Sequence, residues 1–404
     1  MGIVAITLVA GAGAIMVGGH PPKAAAAAEV VARPASNTWI VDGHGYGHGR
    51  GMSQWGARAA AAGGRSAEQI LAFYYPGTTR TRVGNPVIRV RVGTEPTVVL
   101  RPVGGMRVSW AGHSVLLPVV RGGLKWQIAP NGSTMRMRYR TAKAWVWWGP
   151  ALPRQVAVTA SRNVLRIIWP NGTSTDYREG LLATRSGSSV VAVNRLRLDT
   201  YLRGVVPRES PSSWPQQALR AQAVAARTYA YASIRSPRSA LWNICDTTAC
   251  QVYGGATRYS AGGHRLYGEQ ATTTRAVTST AGIVLTRAGR VATTEYSASN
   301  GGWIAAGGTS YLPARRDPYR AGDPYARWSF TVNVVALGKK FGLARLDKLQ
   351  VTGRDGQGEW GGRVTQVRLT GIDGAGKPRA VVATGSQLRS ALGAKDRYLR
   401  LRAG

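Results

Sequence analysis

Two hydrophobic periodicities divide the chain. Between 86 and 194, apolar residues alternate with basic or polar ones in strand-length runs: VIRVRVG, SVLLPVV, MRMRYR, AWVWW, QVAVTA, VLRIIWPNGT and SVVAVN. Gly, Pro and Asn separate these runs, and the pattern predicts β-strands. Pro170, Asn171 and Gly172 mark a hairpin. Between 216 and 233 the period changes. No Gly or Pro occurs there, and Ala, Leu, Gln and Arg dominate, all good helix formers. Leu219, Ala223, Ala226 and Ala230 share one face. That face is small and predicts a helix packed closely against another backbone. Pro215 suits its first turn, with Ser212 or Ser213 as cap. A shorter helix, N-capped by Asp199, is expected to end at Glu209. Met52 to Ala62 reads as a helix. So does Ser66 to Tyr74, with Ser66 as cap and Glu68 and Gln69 in the first turn. Residues 280–287 and 291–297 read as paired strands around Ala288 and Gly289, 363–371 as a strand, and 387–392 as a short helix. The expected fold class is α+β.

The run DGHGYGHGRGMSQWG at 42–56 has glycine at every second position from Gly43 to Gly51. Such spacing excludes a helix and marks a tight loop or a close backbone approach. His44 and His48 sit in it. Three readings stay open for them: a hydrogen-bonded loop, substrate binding, or metal ligation. Trp145, Trp147 and Trp148 belong either to an aromatic β core or to a sugar-stacking groove.

The candidate for catalysis is Glu209. It follows the apolar run Val205, Val206 and Pro207 in a chain poor in acids. Burial there would raise its pKa and keep it protonated, as a general acid requires. A surface carboxylate paired with Arg208 or Arg203 is the alternative.

The chain has 404 residues, 53 Lys and Arg against 18 Asp and Glu, and a formal net charge of +35. Such a surface binds polyanions in a salt-dependent way. Residues 1–28 look like an export segment. The apolar run 3–17 is shorter than the ~18–20 residues of a membrane span, and Ala24 to Ala28 offers a cleavage region. No Lys or Arg precedes the apolar run, so a retained anchor is the other reading. Either way the rest of the chain lies outside the cytoplasm, secreted or wall-associated. Cys245 and Cys250 are the two cysteines, spaced for a small disulfide loop in an oxidising compartment. Zinc ligation and two free thiols are the alternatives. There is no P-loop, dinucleotide fingerprint or zinc-finger spacing.

The string YLRGVVPRES at 201–210, followed by WPQQALRAQAVAARTYA at 214–230, resembles the core motif of the SpoIID/LytB family of peptidoglycan-acting proteins. The resemblance implies that Glu209 is the catalytic acid of a lytic transglycosylase and that Arg227 is functionally important, with Gln222 beside it on the helix. Some members bind zinc through both cysteines and a His directly before the second. Here that position is Ala249, so the resemblance leaves only two good ligands and no metal is expected. The GHGRGMSQ string resembles a second family motif, which in many members closes the chain; here it comes first. The C-terminal stretch from Gly385 resembles what usually precedes it. The order of motifs is therefore permuted-like, and the segment 38–80 should pack on the catalytic core with its start near the C-terminus. His44, His48 and Gln54 from that segment, and Ser297, Ser299 and Asn300 from the YSASNGG turn, join Arg227 and Gln222 as candidate sugar-binding groups. The expected organisation is an export segment or anchor at 1–28, a linker at 29–37, the Gly-His segment at 38–80, a β-rich accessory module at 81–176, and a SpoIID-like domain at 177–404.

A lytic transglycosylase needs one carboxyl group, whereas most glycosidases use two. Only Asp199 and Glu209 are acidic between 198 and 233, which suits the one-acid chemistry. The expected function is cleavage of peptidoglycan glycan strands to 1,6-anhydro-muramic ends, without a cofactor. The alternative is a non-catalytic wall binder or amidase enhancer. Expected partners are glycan strands, anionic wall polymers and a cell-wall amidase. Specific nucleic-acid binding rests on charge alone, and the export segment argues against it.

Overall fold

A computed structural model describes residues 29–119 and 124–404. The 1–28 export segment lies outside the described residues. The fold is mixed α/β, with seven α-helices among the described residues and 42% strand. No helix among them is long and apolar enough to cross a membrane.

The largest sheet has 13 strands. Its path runs Trp145–Leu152, Thr134–Arg140, Lys125–Asn131, Val98–Leu100, Gln155–Ile168, Ser174–Ser186, Ser189–Arg197, Val87–Glu95 and Ile244–Cys245. All pairs on this path are antiparallel except the last, where Ile244 and Cys245 run parallel to Val87–Glu95. The alternation in the sequence is seen directly: Ile88, Val90 and Val92 are buried, with half-exposed arginines between them. The expected boundary at 176/177 falls inside the strand Ser174–Ser186. Strands from 81–176 share backbone hydrogen bonds with strands on either side of it, so they do not stand apart as a separate module. Trp148 packs edge-on to Trp126 at the core. Trp145 and Trp147 lie on the opposite face, under Arg138 and Arg136, and none of the three lines the cleft described below.

The helices are α1 (Gln54–Ala62), α2 (Ala67–Tyr74), α3 (Leu198–Glu209), α4 (Gln216–Arg235), α5 (Ala271–Ser279), α6 (Val334–Lys340) and α7 (Gly385–Leu392). The Ala-rich α4 is the hub. It packs against α1, α2, α3, α5 and the strand Ile283–Arg287, and Ala221, Ala223, Ala225, Ala226 and Ala230 are fully buried. Methyl side chains let five elements approach one rod. Its N-cap is Pro215, with no side-chain cap, so neither Ser212 nor Ser213 takes that role. Asp199 is likewise not a cap: α3 starts after Arg197 and Asp199 lies in its first turn. Ser66 does cap α2, in a full capping box with Gln69.

A second core gathers Trp39, Val41, Leu346, Leu349, Leu369, Leu388 and Leu401. The strand Thr38–Gly43 sits between Trp328–Asn333 and the C-terminal Leu399–Ala403, so the start of the Gly-His segment lies beside the end of the chain. Residues expected as a linker form the edge strand Glu29–Ala32, paired with Arg345–Arg354. The strands expected at 280–287 and 291–297 shorten to Ile283–Arg287 and Arg290–Val291. Beyond them, Tyr296 and Ser297 pair in parallel with Met52 and Ser53. That short bridge joins the Gly-His segment to the α4 layer.

Candidate active site

Four elements converge on the Glu209 carboxyl, which ends α3. The Val252 backbone N–H donates to Oε1 at 2.9 Å. Gln54, the first residue of α1, donates from Nε2 to Oε2 at 3.1 Å. The Tyr296 hydroxyl lies beside the carboxyl and favours its charged form. Its direction follows from its neighbours. Gln251 donates from Nε2 to Tyr296 Oη at 2.9 Å and to the Ala226 carbonyl at 3.1 Å, while its Oε1 accepts from Tyr201 Oη at 3.1 Å. Tyr296 Oη therefore accepts from Gln251, and its own proton is free to face Glu209.

These donors favour the carboxylate, but burial outweighs them and Glu209 is held above its ordinary pKa. Arg208, a partner under the alternative reading, makes no ion pair with it; that guanidinium stacks over the Tyr267 ring at 3.8 Å. Three neutral donors on a carboxyl with about four lone-pair sites leave one position for a proton.

The carboxyl opens on a cleft of about 630 Å³, walled by Tyr46, His48, Ser297, Tyr229, Arg238, Arg389 and the end of the disulfide loop, among others. A neighbouring cavity of about 720 Å³ shares Tyr46 and Arg389 with it. His48 accepts the Arg50 N–H on Nδ1 at 3.0 Å. Burial, with the nearby Arg50 charge, lowers its pKa to about 4, so the ring is neutral with its proton on Nε2. A second carboxylate, Glu295, also lines the cleft. Arg50 grips it with two hydrogen bonds of 2.6 and 2.7 Å.

The glycine spacing is explained at two points. Gly51 has φ 63°, and a Cβ there would sit 2.0 Å from the Glu295 carbonyl. Gly49 has φ 72°, and its Cβ would lie 2.1 Å from Arg363 Nη2. Arg363 is fully buried against Asp396 and the carbonyls of Asn300 and Trp303. The loop is thus laid flat on a buried ion pair, which aims His48 and Gln54 at the cleft.

Residues 186–287 match the family described as SpoIID, stage II sporulation protein. The chain carries a SpoIID domain. It is 37% identical over 145 residues to the amidase enhancer of Bacillus subtilis (strain 168), a stretch covering 34% of this chain and 18% of that one. It is 38% identical over 81 residues to an uncharacterized protein of Brachyspira hyodysenteriae (strain ATCC 49526 / WA1), covering 20% and 22%. The matched part thus spans about a fifth of either relative. The SpoIID domain holds Glu209, α4, the cysteines and Val252; Gln54, His48, Glu295 and Tyr296 reach the cleft from outside it.

The expected site residues divide. Glu209, Gln54, His48, Ser297 and Cys250 line the cleft. Arg227 does not. It is 1% exposed and binds Asp199 at 2.8 Å, the Val277 carbonyl at 2.9 Å and Thr280 Oγ1 at 3.2 Å. It ties α4 to α3 and α5 and has no path to a sugar. Gln222 is buried in α4, away from the cleft. His44 is buried under Trp360, with Nδ1 2.6 Å from the Ala326 carbonyl. Ser299 donates to Asp323 and Asn300 to Asp317, each at 2.6 Å, tying this turn to the loop further along the chain. Arg227, His44, Ser299 and Asn300 are internal ties, because polar residues beside an invading backbone are used to satisfy it; the buried Gln222 amide has no hydrogen-bond partner among the described residues. Cys245 and Cys250 form a disulfide, and among the described residues no cluster of metal-ligating side chains occurs. The bond closes the loop whose exit places Val252 against Glu209.

Sequence reasoning missed Tyr296, Gln251, the Val252 N–H, the Glu295–Arg50 pair and Tyr46. Tyr296 opens the YSASNGG turn singled out in the sequence and carried a signal. A backbone N–H carries none.

Proposed function

We propose that the protein is an extracytoplasmic lytic transglycosylase that cuts peptidoglycan glycan strands, with Glu209 as the single acid and base. The observation that carries this is a cleft-facing carboxyl kept above its usual pKa by burial and ringed by neutral donors. The protonated Glu209 gives its proton to the glycosidic oxygen as the C1–O bond breaks. The resulting carboxylate, stabilised by Val252, Gln54 and Tyr296, takes the proton of the muramoyl C6 hydroxyl. That oxygen bonds to C1, giving the 1,6-anhydro end and restoring the acid. No water enters the balance. Glu295, held by Arg50, shapes the cleft rather than reacting.

Digestion of purified glycan strands freed of stem peptides tests this. Wild type should release anhydro-muramic ends and Glu209→Gln should not. A second reading is favoured by the similarity to a protein named amidase enhancer: the cleft binds glycan and aids a wall amidase without cutting. Under that reading Glu209→Gln would still stimulate an added amidase, and no anhydro ends would form with either protein.

A further inference from the structure

We propose that the end of the large sheet carries a second binding face, separate from the cleft, for a linear polyanion of phosphodiester repeats such as a teichoic-type wall polymer. No Asp or Glu occurs between Glu95 and Asp176, and no residue of that stretch lines the cleft. Within it, Lys125–Asn131, Thr134–Arg140 and Trp145–Leu152 lie side by side, with Arg138 opposite Gln127 and Trp147, and Arg140 opposite Lys125 and Trp145. The pleat puts Arg136, Arg138 and Arg140 on one face, while Met135 and Met137 fill the core.

Two indoles hold the Arg136 and Arg138 guanidiniums in place, and Arg138 Nε also donates to Gln127 Oε1. Arg136 lies 4.6 Å and Arg138 5.2 Å from the Trp147 ring centre, and Arg138 also lies 4.8 Å from that of Trp145. Trp147 is 46% exposed. Like charges are thus stacked side by side with no carboxylate in the stretch to offset them, an arrangement that costs stability until an anion arrives. Stacking on indole leaves guanidinium N–H edges available for phosphate oxygens. Alternate residues on a strand are about 7 Å apart, close to the phosphate spacing of an extended three-carbon phosphodiester repeat. Single-stranded nucleic acid fits less well. It binds by stacking bases on aromatic faces, and here guanidiniums cover those faces.

The test uses the full chain and labelled poly(glycerol phosphate), with binding read by anisotropy at rising salt, so it does not depend on cleavage at Glu209. The triple variant Arg136→Gln/Arg138→Gln/Arg140→Gln should bind about tenfold or more weakly and lower the log–log salt slope by about 3. A control triple at the exposed Arg65, Arg290 and Arg379 removes the same charge and should change binding by less than about twofold. Release of anhydro ends from naked strands should match wild type in both. Equal loss of binding in the two triples would reduce the face to diffuse charge and overturn the proposal. So would tighter binding of an oligothymidylate of equal charge, lost in the same triple. Should the first triple melt early, the three single variants replace it, each lowering the slope by about 1.

Discussion

Arg227 separates a structural from a substrate-binding role most sharply. The family resemblance makes it functional, yet its guanidinium is sealed between α3, α4 and α5. Arg227→Leu removes the cation and leaves the Asp199 carboxylate, only 18% exposed, without its partner. It also strips the donors from the Val277 carbonyl and Thr280 Oγ1. Burial already pulls the Arg227 pKa down, and Asp199 opposes that pull, so the charges depend on each other. Breaking a buried pair from one side typically costs about 3–5 kcal/mol. That is a large share of the ~5–15 kcal/mol that holds a protein folded, and it should lower the melting temperature by about 4–6 °C. Guanidinium denaturation and a thermal scan measure this. Glycan cleavage, assayed well below the variant's melting point, should keep its KM. A variant that melts like wild type but binds glycan much more weakly would refute the reasoning and return Arg227 to the substrate.

Tyr296→Phe removes a hydroxyl that lowers the Glu209 pKa; the alkaline limb of kcat/KM should therefore move to higher pH. The His48 pKa is depressed to about 4, so its contribution to stability is present above 6.5 and lost as pH falls toward 4; acid-unfolding curves of His48→Asn should lose that segment. Reducing the six-residue disulfide loop from Cys245 to Cys250 should cost about 2 kcal/mol and lower cleavage as Val252 loses its position, which a melt with and without reductant reads. Glu295→Gln should leave anhydro ends as the product; mass spectrometry showing hydrolysed reducing ends only in the wild type would make Glu295 a second reacting carboxylate.

Much of the fold is written in local patterns. The Ala helix appears as Gln216–Arg235 and the Ser66 cap as expected, because propensity and capping act within a few residues. The alternating runs became strands, but nothing in them said that they would join one sheet with the SpoIID domain, since register is decided by partners far along the chain. The candidate site was half legible. Glu209 stood out as a rare acid after an apolar run. Its surroundings did not, because they come from Gln54 and Tyr296, brought together by a two-residue parallel bridge, and from Val252 after the disulfide loop. His44, Arg227, Ser299 and Asn300 lie off the cleft lining for one shared reason. A polar side chain in a motif can serve a ligand or an invading backbone, and local sequence does not distinguish the two.

The central claim is that Glu209 acts as a protonated acid at neutral pH. The pH dependence of anhydro-end release from naked glycan strands, by wild type and Glu209→Gln, measures it most directly. Wild-type activity should decline as pH rises through a carboxyl pKa above the usual value, and below that pH the variant should be slower by about 10²–10⁴. Equal release by the two proteins would contradict the account.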